Sequence, residues 1–182
     1  MNILGIIASS LLAAAGDFES IATTTLSTTT ASVTFSSIPA TYTHLQLRGI
    51  ACGPARFGME FNSDTASNYN HHFVYGDGAS VGAGGSANTT PASGTSIGIA
   101  STGSTYFTPF VVDILDYANT NKYKTWKSLN GYDANGSGYV VLYSGAWRNT
   151  NAISQIKIAQ TETFTGNFNQ YSTFALYGIR SA

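Results

Sequence analysis

From Phe18 onward apolar residues recur at every second position, the spacing of a strand with one face in a core and the other in water. Val33 and Phe35 alternate with Ser32 and Thr34, Leu45 and Leu47 with His44, Gln46 and Arg48, and Ile156 and Ile158 with Gln155 and Lys157. Segments rich in β-branched and aromatic residues at 18–25, 56–62, 70–75, 106–117, 123–132, 139–147 and 171–179 extend the series. Turn signals separate them: Ile38-Pro39, Cys52-Gly53-Pro54, Asp77-Gly78, Asp133-Ala134-Asn135-Gly136 and Thr165-Gly166-Asn167. About nine or ten strands joined by short connections predict an all-β chain, a β-sandwich of the jelly-roll kind. At 182 residues the chain is the size of one domain, expected over 17–182.

Two segments depart from this rhythm. Residues 78–105 are almost entirely Gly, Ala, Ser and Thr, with Pro91 inside. They lack the bulk to pack a core and read as a long surface loop, with a weak strand around 96–101. Residues 1–16 carry an apolar run from Ile3 to Leu12, followed by Ala13-Ala14-Ala15, which imitates a secretory signal. No Lys or Arg precedes the run, so the segment is expected to be retained and docked. Ile3, Ile7 and Leu11 recur every four residues. A short helix with Asn2 as N-cap and Gly16 past its end would present an apolar stripe, which Gly5 weakens. Such an arm either covers the chain's own core or anchors it to a partner.

Composition narrows the function. Charged residues are 9% of the chain, against roughly 25% in an ordinary soluble protein. With a net charge of −1 there is no basic field to gather phosphates, so nucleic acid is not an expected partner. So neutral a surface is prone to associate, which suggests work inside an assembly. The 43% hydrophobic and 13% aromatic content excludes disorder. The single Cys52 precludes an internal disulfide, and no stretch approaches the roughly 20 apolar residues of a membrane helix.

Chemistry-bearing patterns are sparse. The acids Asp17, Glu19, Glu60, Asp64, Asp77, Asp113, Asp116, Asp133 and Glu162 show no catalytic pairing, and Asp113 and Asp116 should point to opposite faces. His71-His72 with His44 lacks a completing ligand, since neighbouring strand residues also diverge. No nucleophile elbow or phosphate-binding loop occurs. The glycosylation-like triplets at Asn88 and Asn135 read as loop and turn chemistry. Trp126, Trp147, Tyr117, Tyr123, Tyr132, Tyr139 and Tyr143 could stack on sugars where exposed, though packing is the commoner use of each. No catalytic residue, cofactor or metal is expected.

The string FSSIPATYTHLQLRGI at 35–50 resembles one found in a group of tailed-phage virion proteins from phages of marine bacteria and cyanobacteria. Further similar blocks are FNSDTASNY at 61–69, DYANTNKYKT at 116–125, GYDANGSGY at 131–139, SGAWRNTNAI at 144–153 and YSTFALYGI at 171–179. LGIIASS at 4–10 and FESIAT at 18–23 also look like that group. The resemblance runs end to end and implies a non-enzymatic virion structural protein on the outer surface of the particle. With a short apolar arm, it looks most like a capsid decoration or cement protein. Such a protein would be a homo-oligomer, a trimer before a dimer, bound to the major capsid protein or another virion protein. The residues implied at that contact are Ile3, Leu4, Ile6, Ile7, Leu11 and Leu12. The alternative is a tail-fibre, baseplate or receptor-binding protein that seats itself by the same arm and faces host surface glycans.

Overall fold

The computed structural model describes residues 17–53, 56–100, 105–161 and 166–180. The expected arm at 1–16 lies outside the described residues. Along the chain run β1 (Phe18–Thr25), β2 (Ser32–Phe35), β3 (His44–Ala51), β4 (Arg56–Phe61), β5 (Tyr69–Gly76), β6 (Val81–Thr89), α1 (Pro91–Gly94) and β7 (Ser96–Ile99). They are followed by β8 (Thr108–Leu115), β9 (Lys124–Asp133), β10 (Gly138–Trp147), β11 (Ile156–Gln160) and β12 (Thr173–Ile179). Two antiparallel sheets result. One has the order β1-β12-β3-β8-β9-β10-β5-β6 and the other β2-β11-β4-β7.

Each segment marked by alternation or by β-branched and aromatic content forms a strand, some ends trimmed and others extended by a residue or more. β8 stops at Leu115 because Asp116 takes a φ of 49°, and Tyr171, at 72°, turns the chain before β12. These left-handed values break a ladder. Two of the turn signals join the strands of hairpins. Asp77 accepts the N–H groups of Ala79 and Ser80, and Gly78 takes a φ of 89° between β5 and β6. In the β9–β10 turn Asp133 accepts the Asn135 N–H, and Asn135 and Gly136 both have positive φ.

The expectation of a long surface loop over 78–105 is overturned. That stretch contains β6, α1 and β7. A glycine-rich strand can pack here because its partner supplies the bulk. Gly84 pairs with Phe73 and Gly82 with Tyr75, and a Cβ on either glycine would lie within 3.0 Å of the partner's ring. The aromatic ring covers the neighbouring strand where that strand has no side chain. β7 occupies part of the expected weak strand, and its small residues fit a crowded place, with Ile97 fully buried.

The sheets face each other across an aromatic core, and β4 supplies two of the bridging rings. Phe57 meets Phe110 of β8 edge to face at 5.1 Å and Phe168 at 5.7 Å. Phe61, two strand repeats further, meets Trp126 of β9 at 5.7 Å and Trp147 of β10 at 5.6 Å. Phe57 and Phe61 have no exposed surface. Each such contact adds about 0.5–1.5 kcal/mol to the burial of its rings.

Gly98 of β7 lies against this core. A Cβ there would sit 2.3 Å from Phe57 Cζ. Gly98→Val should therefore destabilise the protein by about 2–3 kcal/mol, read from denaturant midpoints, because a well-packed core resists added volume. A loss below about 0.5 kcal/mol would show that β7 does not press on Phe57.

Candidate functional site

In an antiparallel sheet, directly paired residues point to the same face, so register converts strand alternation into rows. On the eight-stranded sheet the inward row runs through Val112, Ser128, Tyr143 and Phe73. The outward rows are apolar near the centre. One passes from Arg48 through Val111, Leu129, Leu142 and Val74 to Ala83. The next passes from Ile50 through Pro109, Gly131, Val140 and Gly76 to Val81. Leu129 is 50% exposed, Val140 63% and Val81 85%.

No second layer among the described residues covers these rows, since the four-stranded sheet packs on the opposite face. Six strands at about 4.8 Å spacing and two rows along each strand give an apolar strip of about 400 Å². Patches of that size on a monomer commonly mark interaction sites. Gly131 and Gly76 leave a gap in the second row, and the β5–β6 and β9–β10 turns rise at its end. Together they shape an open trough of about 1080 Å³, with Pro109, Leu129 and Val140 in its lining.

One long border of the strip is polar. Gln46 donates to Asp113 at 2.6 Å, and Asp113 pairs in register with Lys127. Arg48 closes the short end, its guanidinium 5.2 Å from the Phe18 ring centre and 6.0 Å from that of Tyr177. An apolar centre with a polar rim is the arrangement of a protein contact surface.

The residues weighed for chemistry are dispersed. Asp116 pairs with Lys122 and lies 3.6 Å from His44, whose Nδ1 accepts the Asp116 N–H. The Lys122 ammonium holds the Asp116 carboxyl below its ordinary range. Glu19 accepts hydrogen bonds from Tyr42 and Arg180, and Glu60 pairs with Lys157. His71 is buried while its neighbour His72 is exposed, the divergence expected of adjacent strand residues. Among the described residues no three His, Cys, Asp or Glu side chains converge as metal ligands would. Cys52 is buried, and desolvation pushes its thiol pKa up.

Of the aromatic residues considered for stacking, Trp126, Trp147, Tyr117 and Tyr143 are core residues. Tyr132 and Tyr139 are half-buried and line a second cleft of about 520 Å³ between the sheets, while Tyr123 is exposed. Sequence reasoning missed Lys124. It is fully buried, and its ammonium donates to the carbonyl oxygens of Asn119, Lys122 and Thr150, tying the β8–β9 connection to the segment after β10. Burial lowers its pKa, with Lys122 adding repulsion. Its sequence context, between Tyr123 and Thr125 at a strand start, carried no signal of burial.

Neither a protein-family model nor a curated protein matches the chain.

Asp64 shows how the acids serve the fold. Burial alone would push its carboxyl up, but donors on Asn68, Ala66, Trp147 and Asn149 outweigh that and hold it below its ordinary value of 3.8. A lowered folded pKa contributes stability that is present above the unfolded value and lost as pH falls through the folded one. Asp64→Asn should therefore be less stable than the parent at pH about 7, the gap shrinking toward pH about 2. Denaturant unfolding at both pH values reads the effect, and a gap that does not change with pH would exclude a role for the charge.

Proposed function

We propose that this chain is a non-enzymatic structural protein of a tailed-phage virion that works by association, as an oligomeric capsid decoration protein. The observation that carries the reading is the uncovered apolar strip on the eight-stranded sheet. It offers a cohesive surface, not a reactive one, and Asp77, Asp113 and Asp133 around it are engaged in turns and hydrogen bonds. The strip is about half of the roughly 800 Å² per partner of a stable protein interface, and the polar row beside it extends the contact. The sequence blocks that resemble virion proteins supply the setting.

The fold we propose is a jelly-roll sandwich widened by two hairpins. Setting aside the hairpins β5–β6 and β9–β10, the remaining orders are β1-β12-β3-β8 and β2-β11-β4-β7. These are the two four-stranded sheets that an eight-stranded jelly roll forms when its chain folds over as paired strands. Both hairpins extend the same sheet, and with β3 and β8 they carry the apolar strip.

Copies of the chain meet through the strip, as a trimer before a dimer, and the apolar arm reaches the major capsid protein or another virion protein. Ile3, Leu4, Ile6, Ile7, Leu11 and Leu12 leave water on docking, at about 25 cal/mol per Å² before ordering costs. Several arms per oligomer multiply modest single-site affinities. The second reading, a tail or receptor-binding protein, draws support from the aromatic cleft.

The paired substitution Leu129→Lys with Val140→Lys should leave the fold intact, since both side chains point outward. It should also convert the sedimenting oligomer to monomer. Deleting residues 1–16 should instead preserve the oligomer and abolish attachment to particles. Unchanged sedimentation of the Lys variant would reject the strip as the contact between copies, and wild-type particle occupancy without the arm would reject anchoring.

A further inference from the structure

We propose that the cleft between the two sheets, at the β5–β6 end of the larger one, is a saccharide-binding site. It lies on the opposite face of that sheet from the apolar strip and does not depend on where in a virion the chain is placed.

The cleft exists because the sheets differ in width. The smaller sheet ends at β7, so the inward side chains of β5, β9 and β10 near that end are faced only by the end of β7 and the residue after it. Those side chains are aromatic. Tyr132 and Tyr139 are paired in register across β9 and β10, with ring centres 6.1 Å apart. Tyr75 approaches Tyr139 at 5.9 Å, and Phe73 follows Tyr75 at 6.3 Å. Gly82 lets Tyr75 lie against β6. Ile99 and Ala100 form the facing wall, and Arg56 stands at the rim.

The chemistry of the lining selects the ligand. Volumes of about 300–1,000 Å³ hold small ligands, and about 520 Å³ lies within that range. Ring faces offer flat apolar surface for the C–H face of a pyranose, while three phenol hydroxyls offer hydrogen bonds to its hydroxyl groups. All four rings are half-buried, neither sealed in the core nor fully in solvent. Among the described residues Arg56 is the sole charged side chain in the lining, too little for a phosphate-rich ligand. The rings are inclined to one another at 30°, 58° and 54°, walls of a concave site rather than the flat grooves that take proline-rich peptides. Burial raises the Tyr132 pKa, so its hydroxyl stays protonated and able to donate.

The test is saturation-transfer NMR on the full chain with neutral and uronate-containing hexose oligosaccharides of two to four units. Binding with a Kd of about 1 mM or tighter is expected. Tyr139→Ala should weaken it about tenfold, Tyr139→Phe less because the ring remains, and Leu129→Lys on the opposite face should have no effect. Should Tyr139→Ala fail to fold, the Phe variant and Tyr75→Phe still read the loss of single hydroxyls. Absence of saturation transfer from every saccharide, saccharide binding unaltered by the tyrosine variants, or binding of a polyproline peptide in place of saccharides would each overturn the proposal.

Discussion

The structure depends on two rings that β4 sends from the smaller sheet across to the larger one. Phe57 and Phe61 stand two strand repeats apart on one face of that strand, and each reaches across to rings of the larger sheet. Phe57 locks onto Phe110 and Phe168, while Phe61 locks onto Trp126 and Trp147. Tyr69 completes the second group and donates its hydroxyl proton to the Asp64 carbonyl, fixing the β4–β5 connection. Burial pushes the Tyr69 pKa far up, so it remains neutral in the core.

A consequence of this geometry is mismatch. Among the described residues eight strands are covered by four, and only on one side. Strands buried on both faces read as continuous apolar runs, while strands with one wet face alternate. β10 is of the first kind where Val140, Val141, Leu142 and Tyr143 follow one another, and so is β8 at Phe110, Val111 and Val112. Only one of their faces is covered among the described residues. The other face has the composition of an interior and the position of an exterior, which is why association is the functional reading the geometry favours. The same mismatch, seen from inside, opens the aromatic cleft.

Much of the strand pattern was legible in the sequence because alternation is local. Val33 and Phe35, Leu45 and Leu47, and Ile156 and Ile158 announce their inward faces without reference to any partner. β6 was not legible, since what makes Gly82 and Gly84 a strand is Phe73 and Tyr75 on another strand. Sheet order was hidden for the same reason: β1 pairs with β12 across nearly the whole chain. The strip was concealed differently. Leu129 and Val140 look like ordinary strand residues until register places them side by side on one uncovered face. Lys124 shows the converse, a charge whose burial is made tolerable by three carbonyl oxygens, two from the turn just before it and one from beyond β10.

On this reading the outer face of the eight-stranded sheet is covered in the working protein. Hydroxyl-radical footprinting of side chains tests it directly, comparing the assembled protein with the same chain diluted below its association range. Ile50, Leu129, Val140 and Leu142 should be shielded in the assembly and oxidised after dilution, while the exposed Tyr123 should label equally in both. Equal labelling of the four aliphatic residues in both states would contradict the account.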